Sequence, residues 1–301
     1  VVGDWVAAQV NKSRKNARIT ALLPRFSKIS RRAPGQVNRE QVLAANIDLI
    51  FLVSGLDGDY NPRRIERAMA MAWDSGAKPI VLLNKADLHP EPESAAREVE
   101  EMHPDVPVLV LSALRDKAKG NASGKALEAV RSHLAEGVTA TFIGSSGVGK
   151  STILNRLLGY EHMRTSEVRE DDSRGRHTTT HRELVLLEGG GALIDTPGIR
   201  ELQLWGDPDK ILGAFPDIAE LAGACRFRDC RHEGEPDCAV NQALDQGRLD
   251  EQRFANFLKL REEMEELART ILETGKEDGG KELKRFSRSY KNQSKYTPTG
   301  A

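Results

Sequence analysis

The sequence contains few cysteines and no long hydrophobic run. Its 301 residues include three Cys, and all of them lie between Cys225 and Cys238. The first residues, VVGDWV, show no basic segment followed by an apolar one, so we recognise no secretion signal. An odd, clustered set of cysteines then favours a metal site in a reducing compartment over a disulfide framework. No apolar stretch approaches the roughly 18 residues that span a bilayer. We therefore expect a cytoplasmic protein without a membrane partner.

The chain is also poor in aromatic residues and in net charge. Aromatic residues make up 5%, and the formal net charge is -1, with 39% hydrophobic and 30% charged residues. This composition is typical of a folded globular protein, and the length suggests two or three domains. Residues 1–40 nevertheless carry nine Lys or Arg against two acids, and the tail from 281 is basic. Both ends could contact a polyanion, but solvated surfaces and a disordered tail are an equal interpretation.

Strand and helix patterns alternate through the middle of the chain. Apolar runs typical of strands buried in a parallel sheet occur at 47–53, 79–84, 107–113, 139–144, 183–188 and 191–198. Helical patterns occur at 62–75, from 91, at 123–134 and from 150. The alternation predicts an α/β domain with a mostly parallel sheet.

The two ends of the chain show other patterns. Short strands are expected at 6–10 and 17–23, as part of a small β-barrel, with a linker at 30–38. After about residue 206 the chain becomes rich in Cys and His, and a long helix is expected at 249–272.

The segment GSSGVGKS at 144–151 matches the phosphate-loop pattern in full. It lies between a predicted strand and a predicted helix, the context in which this motif is meaningful. Its glycines let backbone N–H groups face phosphates, and the helix N-terminus adds a positive potential. Lys150 can reach the β- and γ-phosphates, and Ser151 offers a hydroxyl to Mg²⁺. The alternative, an accidental glycine-rich turn, fits this context poorly.

A second motif, DTPG at 195–198, ends another predicted strand about forty-five residues later. Asp195 can hold the water shell of Mg²⁺, and the backbone N–H of Gly198 can bond the γ-phosphate. Alone these are ordinary turn residues. Their place after a phosphate loop makes a nucleotide switch the better interpretation.

The motif NKAD at 84–87 predicts that the base is guanine. Asp87 can accept hydrogen bonds from the guanine N1–H and exocyclic amine, whereas adenine has no such donor pair. Asn84 and Lys85 would support the base and the loop. The segment SAL at 112–114 could add a backbone N–H to the guanine oxygen. Four such elements at four strand ends predict a P-loop protein that hydrolyses GTP.

The order of these motifs along the chain is rotated. In ordinary small GTPases the phosphate loop comes first, whereas here NKAD and SAL precede it, which indicates a circular permutation. This order, with a basic barrel before it and a Cys/His segment after it, resembles the small-ribosomal-subunit-dependent GTPase family RsgA, also called YjeQ or YloQ. The stretches that carry the resemblance are AANIDLIFLVS, GSSGVGKSTILN, GRHTTTHREL, IDTPGIRE and CRFRDCRHEGEPDCAV.

The resemblance implies a fold and a function. The expected architecture is an OB-like β-barrel at 1–38, a circularly permuted P-loop GTPase domain of the α/β class at 39–205, and a zinc-binding helical domain at 206–301. An OB barrel needs five strands, and 38 residues are too few for them. Either the beginning of the barrel is missing from this sequence, or the barrel is incomplete. The implied activity is hydrolysis of GTP to GDP and phosphate, stimulated by the small (30S) ribosomal subunit. The implied role is late maturation of that subunit through binding to 16S rRNA. We expect a monomer.

The predicted site combines these motifs. The expected nucleotide-binding residues are Asn84, Lys85, Asp87, Ser112, Ala113, Gly144, Ser145, Ser146, Gly147, Val148, Gly149, Lys150, Ser151, Thr152, Thr179, Asp195 and Gly198. The expected ligands of the Mg²⁺ that accompanies GTP are Ser151 and Thr179. The expected catalytic residues are Lys150 and His177.

The group that positions the attacking water needs a separate argument. Ras-like enzymes use a Gln after DxxG, but Ile199 stands there and cannot orient water. The candidate is His177 in GRHTTT, the predicted switch I, and the resemblance points to the same residue. A loop histidine without a chemical role is the alternative. Thr178, Thr179 and Thr180 are candidates for bonding Mg²⁺ and the γ-phosphate, and the resemblance favours Thr179.

A metal site is predicted after the switch segment, at Cys225, Cys230, His232 and Cys238. Three thiolates and one imidazole at this spacing are typical of a closed, structural Zn²⁺ site. Three buried free cysteines beside a surface histidine are the alternative. Arginines between the ligands could contact RNA phosphates, namely Arg226, Arg228 and Arg231.

Three other functions stay open at this point. One is a GTPase of another class, for tRNA modification or metal insertion, which would use zinc for delivery. The closed set of four ligands argues against delivery of the metal. A passive RNA-binding module without hydrolysis is suggested by Ile199. An ATP-dependent kinase is disfavoured by Asp87.

Overall fold

The computed structural model describes residues 1–11, 16–32, 40–58, 60–114, 122–160, 182–195 and 208–274. The strands in these ranges are β1 (Val6–Asn11), β2 (Asn16–Leu22), β3 (Lys28–Arg32), β4 (Glu40–Ala45), β5 (Leu49–Gly55), β6 (Lys78–Asn84), β7 (Val108–Val110), β8 (Thr139–Ile143), β9 (Glu183–Leu186) and β10 (Ala192–Asp195). The helices are α1 (Pro62–Ser75), α2 (Pro92–Met102), α3 (Ala122–Ser132), α4 (Lys150–Leu158), α5 (Pro216–Gly223), α6 (Ala239–Asp245) and α7 (Glu251–Thr274). Two 3-10 helices lie at Ala86–Leu88 and Pro208–Ala214.

A six-stranded sheet in the order β7-β6-β5-β8-β10-β9 organises the middle of the chain. Its neighbouring strands are parallel except for β9, which runs antiparallel to β10. The inner strands are the apolar runs of the sequence, and side chains such as Phe51, Leu82 and Leu193 are fully buried. The carboxyl ends of the parallel strands therefore meet at one edge, where ligands bind in sheets of this kind.

Strand order explains how a rotated chain can build an ordinary site. The strand that leads into the phosphate loop, β8, lies in the centre of the sheet. The strands β5, β6 and β7 come earlier in the chain but follow one another on one side of β8, with β5 as its direct neighbour. Motifs that are distant along the chain thus share one edge of the sheet.

Helix α1 shows why the local sequence predicted its bounds so well. The side chain of Asn61 caps the helix by accepting a hydrogen bond from the Arg63 backbone N–H at 3.0 Å, and proline suits the first turn. Buried residues on the helix, including Ile65, Met69 and Ala72, follow the helical period. Gly76 ends the helix with a φ of 87°, in the left-handed region that glycine tolerates. The predicted range 62–75 is confirmed.

Several short elements differ from the sequence-based expectation. Strand β7 covers only Val108–Val110 of the predicted 107–113. Helices α5 and α6 have eight and seven residues, too few to show a clear period, and were not predicted. The linker expected at 30–38 was wrong for residues 30–32, because β3 continues to Arg32 and pairs with β4. The reason is that KISRR has a single buried apolar side chain, Ile29, and so carries little strand signal.

The N-terminal strands form two-stranded sheets, β1 with β2 and β3 with β4. Strands β1 and β2 are antiparallel and exposed along their whole length. Short N-terminal strands were predicted as part of a small β-barrel, and the described residues contain these strands but no closed barrel. Residues before β3 are joined to the segment between β4 and β5, where the Ser27 hydroxyl donates to the Ile47 carbonyl at 2.6 Å. The Asn46 amide also donates to the Gly3 carbonyl at 2.8 Å.

The chain divides into two compact units, 1–30 with 42–202 and 31–41 with 203–301. The three domains predicted from the sequence stay a prediction.

Within the second unit, Phe215 and Phe254 both pack against Phe257 of α7. The Arg253 guanidinium donates to the Asp217 carboxylate at 2.5 and 2.7 Å. Burial raises the pKa of Asp217, but the ion pair with Arg253 and backbone hydrogen bonds together leave that pKa below its usual value. In the described part of the chain, no helix is long and apolar enough to cross a membrane.

Candidate functional site

The phosphate loop connects β8 to α4 and depends on two of its glycines. Gly144 and Gly149 have φ values of 157° and 100°. A Cβ at Gly144 would lie 2.2 Å from the Val53 carbonyl oxygen, and one at Gly149 would lie 2.2 Å from Asn84 Nδ2. Because the loop backbone passes so close to its neighbours, neither position has room for a side chain, and both need glycine.

Lys150, the first residue of α4, folds back over this loop. Its ammonium donates to the carbonyl oxygens of Gly144 at 2.7 Å and Ser145 at 2.6 Å. The positive charge is thereby held at the loop, beside the helix N-terminus that favours anions. This is the place where the sequence predicted phosphate binding. Ser151 and Thr152 follow in the first turn of α4, partly exposed.

Asn84 joins three of the predicted motifs. Its side chain is buried at the end of β6, with 2% exposure. Asn84 Nδ2 donates to the Val148 carbonyl of the phosphate loop at 2.8 Å, and Asn84 Oδ1 accepts from the Ala113 N–H at 2.9 Å. One amide thus connects NKAD to the phosphate loop and to SAL. Because both halves of a buried amide are bonded, the three loops hold each other in one arrangement.

Asp87, three residues after Asn84 in the same motif, is exposed, and the side chain of Ser112 orients it. The Ser112 hydroxyl donates to Asp87 Oδ1. The backbone is held as well, since the Ala86 N–H donates to the Leu111 carbonyl at 3.1 Å. A carboxylate that is oriented and accessible is what recognition of the guanine edge requires.

The structure brings together part of the predicted site. It places the residues from NKAD, SAL and the phosphate loop at one edge of the sheet, and Asp195 at the end of β10, next to β8. The predicted residues His177, Thr179 and Gly198 lie outside the described residues, as do the alternatives Thr178 and Thr180 and the position of Ile199.

A methyl group at Gly149 is expected to disrupt this arrangement. The substitution Gly149→Ala would press against the Asn84 amide and impose a positive φ on alanine. We expect affinity for GDP to fall at least about 100-fold. Equilibrium titration with a fluorescent GDP analogue measures this, with Gly137→Ala as the control. Gly137 also has a positive φ, 83°, but its Cβ would meet nothing within 4 Å. Equal effects of both substitutions would contradict the steric argument.

The four predicted metal ligands converge in the second unit. The ligand atoms of Cys225, Cys230, His232 and Cys238 all lie within 4.8 Å of one another. Cys225 Sγ lies 3.9 Å from Cys238 Sγ, and His232 Nδ1 lies 3.7 and 3.4 Å from these two sulfurs. Tetrahedral zinc bonds of about 2.3 Å to sulfur and about 2.0 Å to nitrogen imply separations of about 3.8 Å and about 3.5 Å. The cluster therefore fits one zinc ion, coordinated through His232 Nδ1.

The electrostatics of the cluster also suit a cation. Without a metal charge, burial together with the neighbouring thiols raises the pKa of Cys230 to about 12. Burial lowers the pKa of His232. A lowered pKa favours the neutral imidazole that ligation requires, whereas thiolates need a nearby positive charge to remain ionised.

A carboxylate and an arginine hold the metal-binding loop. Glu235 accepts hydrogen bonds from the backbone N–H groups of Arg231 and Glu233, both at 2.7 Å. Burial raises the pKa of Glu235, but these bonds, together with those from its own backbone and from Cys230, lower that pKa. Arg261 of α7 donates to the Arg231 carbonyl at 2.7 Å. The two residues that flank His232 are thereby fixed in place, which orients the ligand. The sequence pattern of ligands gave no sign of these contacts.

Two of the three arginines between the ligands have partners within the protein. Arg226 forms an ion pair with Asp237 at 2.7 Å, and Arg231 forms one with Glu265 at 3.0 Å. Both arginine side chains are nevertheless more than half exposed, so the expectation that they contact RNA phosphates stays a prediction. Arg228 is exposed and forms no such pair with the described residues.

Comparisons with known proteins agree with this geometry. The family model described as RsgA GTPase matches residues 22–205, which include every strand of the central sheet. A relative from Opitutus terrae, described as small ribosomal subunit biogenesis GTPase RsgA, is 47% identical over 279 residues, covering 90% of this chain and 74% of the relative. A relative with the same description from Xanthomonas euvesicatoria pv. vesicatoria is 47% identical over 271 residues, covering 90% and 71%.

Solved structures show the same architecture. The crystal structure of YjeQ from Thermotoga maritima superposes with a TM-score of 0.63 at 26% identity, covering 87% of this chain and 83% of that one. The structure of YloQ, described as a circularly permuted GTPase, gives a TM-score of 0.63 at 24% identity, covering 88% and 81%. The predicted fold class is confirmed, including the permutation.

Proposed function

Because the chain belongs to the RsgA GTPase family and is a GTP hydrolase, we propose that the small ribosomal subunit stimulates this hydrolysis. We further propose that the protein acts in late maturation of the 30S subunit by binding 16S rRNA, as a cytoplasmic monomer. The printed description of the relatives, small ribosomal subunit biogenesis GTPase, supports the choice of partner.

The observation that best supports the nucleotide site is the pair of hydrogen bonds that the Asn84 side chain forms with Val148 and Ala113. A buried amide that joins the base-reading loop to the phosphate loop, across 64 positions of sequence, has a clear use in a nucleotide site. It sets the distance between the pocket for the base and the pocket for the phosphates. A nucleotide of the right length then contacts both loops without rearranging either, which lowers the cost of binding.

We assign the described residues the following roles. Asp87 reads guanine, the phosphate loop with Lys150 binds the β- and γ-phosphates, and Ser151 contributes its hydroxyl to the Mg²⁺ of the substrate MgGTP. Asp195, at the end of β10, holds the water shell of that ion. The site needs little acid–base chemistry, because phosphoryl transfer depends mainly on positioning and charge stabilisation.

Three further roles fall on residues outside the described ranges. We propose that Thr179 binds the same Mg²⁺, that the Gly198 N–H bonds the γ-phosphate, and that His177 positions the attacking water. The Ile at position 199 supports the last assignment, since it offers no polar group for this purpose.

The metal cluster has a structural role in this proposal. Four ligands would complete the tetrahedral shell of a bound zinc and would leave no position for a substrate. A bound zinc would hold the segment from Cys225 to Cys238, in which only His232 and Cys238 are buried. A loop with so little apolar burial needs another source of stability to present an RNA-binding surface.

Hydrolysis measured with and without purified small ribosomal subunits tests the proposal. We expect the subunit to increase kcat by at least about 10-fold, because a partner that completes a GTPase site can contribute factors of about 10³ or more. Lys150→Ala is the blank and is expected to show neither basal nor stimulated turnover. Large subunits serve as the control for nonspecific stimulation by RNA.

The outcomes separate the remaining alternatives. Binding of guanine nucleotide without stimulation by any ribosomal particle would leave a GTPase with another partner. Stimulation by both subunits alike would indicate a general effect of RNA charge. Preference for ATP in a competition assay would contradict the role assigned to Asp87.

A further inference from the structure

An acidic residue in the loop after β5 lies against the guanine-reading motif. Asp57 Oδ2 is 2.5 Å from Lys85 Nζ, and the two side chains are 27% and 21% exposed. We propose that Asp57 is a positioning residue for the guanine-nucleotide site and that it acts through Lys85. The inference rests on the proposed function and adds a residue that lies outside all four sequence motifs.

The backbone of Lys85 explains why a partner is needed. Lys85 has a φ of 63° and a ψ of 34°, in the left-handed region. This conformation is unfavourable for a residue with a side chain, and it persists where the surroundings stabilise it. At this point the chain leaves buried β6 and turns into the 3-10 helix Ala86–Leu88, which contains Asp87. The conformation of Lys85 therefore sets where the Asp87 carboxylate lies relative to Asn84.

The loop after β5 is shaped to deliver the Asp57 carboxylate. Gly55 ends β5, and a Cβ there would lie 2.9 Å from Asp57 Oδ1. The carboxylate thus occupies space that glycine leaves open. The next residue is bonded to the same motif, since the Leu56 N–H donates to the Asn84 carbonyl at 2.7 Å. A backbone bond and an ion pair therefore tie 55–57 to 84–85.

This connection acts on base binding and not on the phosphates. Asn84, through Val148, provides the link to the phosphate loop, and that link does not involve Asp57. Loss of the Asp57 charge would free the Lys85 ammonium and let the turn relax, which displaces Asp87. Hydrogen bonds to a base depend steeply on distance and angle. Affinity should fall while the chemical step continues at its normal rate once GTP is bound.

The substitution Asp57→Asn tests this, because it removes the charge and keeps the shape. With full-length protein we expect the Kd for a fluorescent GDP analogue and the KM for GTP to rise about tenfold, and kcat to stay within about twofold. The matched control is Asp105→Asn, which changes an exposed carboxylate after α2 that forms no side-chain hydrogen bond or ion pair with the described residues. This control is expected to match the wild type in both constants.

Two further variants separate positioning from a general loss of structure. In a Lys85→Met background, Asp57→Asn should add less than about twofold to the Kd, because its partner is already gone. Gly55→Ala keeps both charges but displaces the carboxylate, and it should raise the Kd by a smaller factor of about threefold. Thermal unfolding of each variant verifies that it is folded.

The results distinguish this inference from the proposed function. Wild-type affinity of a folded Asp57→Asn protein would overturn the role of Asp57 while leaving the nucleotide site intact. Additive effects of the two substitutions would overturn the action through Lys85. Failure of the wild type itself to bind GDP would instead overturn the proposed nucleotide site, and this inference with it.

Discussion

The substitution Asp87→Asn is expected to change the preferred base from guanine to xanthine. A carboxylate accepts from the guanine N1–H and exocyclic amine, whereas an amide can accept from one N–H and donate to the carbonyl that xanthine carries in place of the amine. The Ser112 hydroxyl donates to Asp87 Oδ1, and an amide oxygen can accept the same bond, so the orientation of the side chain should persist. We expect affinity for GDP to fall by about 10³-fold and affinity for XDP to rise correspondingly.

Competition of GDP and XDP against one fluorescent nucleotide measures both affinities in the same sample. The wild type and Asp105→Asn should prefer GDP alike. Ser112→Ala is the informative second variant, because it removes the orienting bond but keeps the carboxylate. It should weaken GDP binding without creating affinity for XDP. Unchanged affinity for GDP in Asp87→Asn, without any gain of affinity for XDP, would mean that Asp87 does not face the base.

The second large effect concerns the metal cluster. Cys238→Ser is expected to abolish stoichiometric zinc binding, with metal content falling from one zinc per chain to below about 0.1. Structural zinc sites contribute on the order of 10 kcal/mol of binding free energy, which is comparable to the stability of a whole domain. Between Cys225 and Cys238 only two side chains are buried. This segment should therefore lose its structure, whereas α7 should keep its packing against Phe215.

Hydrogen exchange resolved along the chain tests both halves of this expectation. Amides at 225–238 should lose protection, and those near Phe257 in α7 should retain it. Asp237→Asn is the matched control: it breaks the exposed ion pair with Arg226, and Asn tolerates the φ of 58° found at this position. The control should keep both zinc and protection, since exposed ion pairs contribute little to stability. Unchanged protection at 225–238 in the Cys238→Ser protein would show that the loop folds without metal.

The sequence by itself determined those features whose causes lie within a few residues. The bounds of α1 follow from an Asn–Pro start, a helical period and a terminal glycine. The phosphate loop follows from glycines between a strand and a helix, and the metal cluster follows from the spacing of its four ligands. Each of these signals lies within a short stretch of the chain, so this one sequence was enough to predict the feature. The rotated order of the motifs was equally visible, because order is a property of the sequence alone.

Only the tertiary structure decided which distant side chains meet. Asn84 reaches Val148 across 64 positions, and Asp57 reaches Lys85 across 28. Both contacts depend on strand order in the sheet and on loop geometry, and neither of these has a local signature. The same reason explains why the ion pairs of Arg226 and Arg231 with carboxylates were not predicted. Local patterns specify elements and ligand sets, whereas the partners that orient a functional side chain depend on how those elements pack.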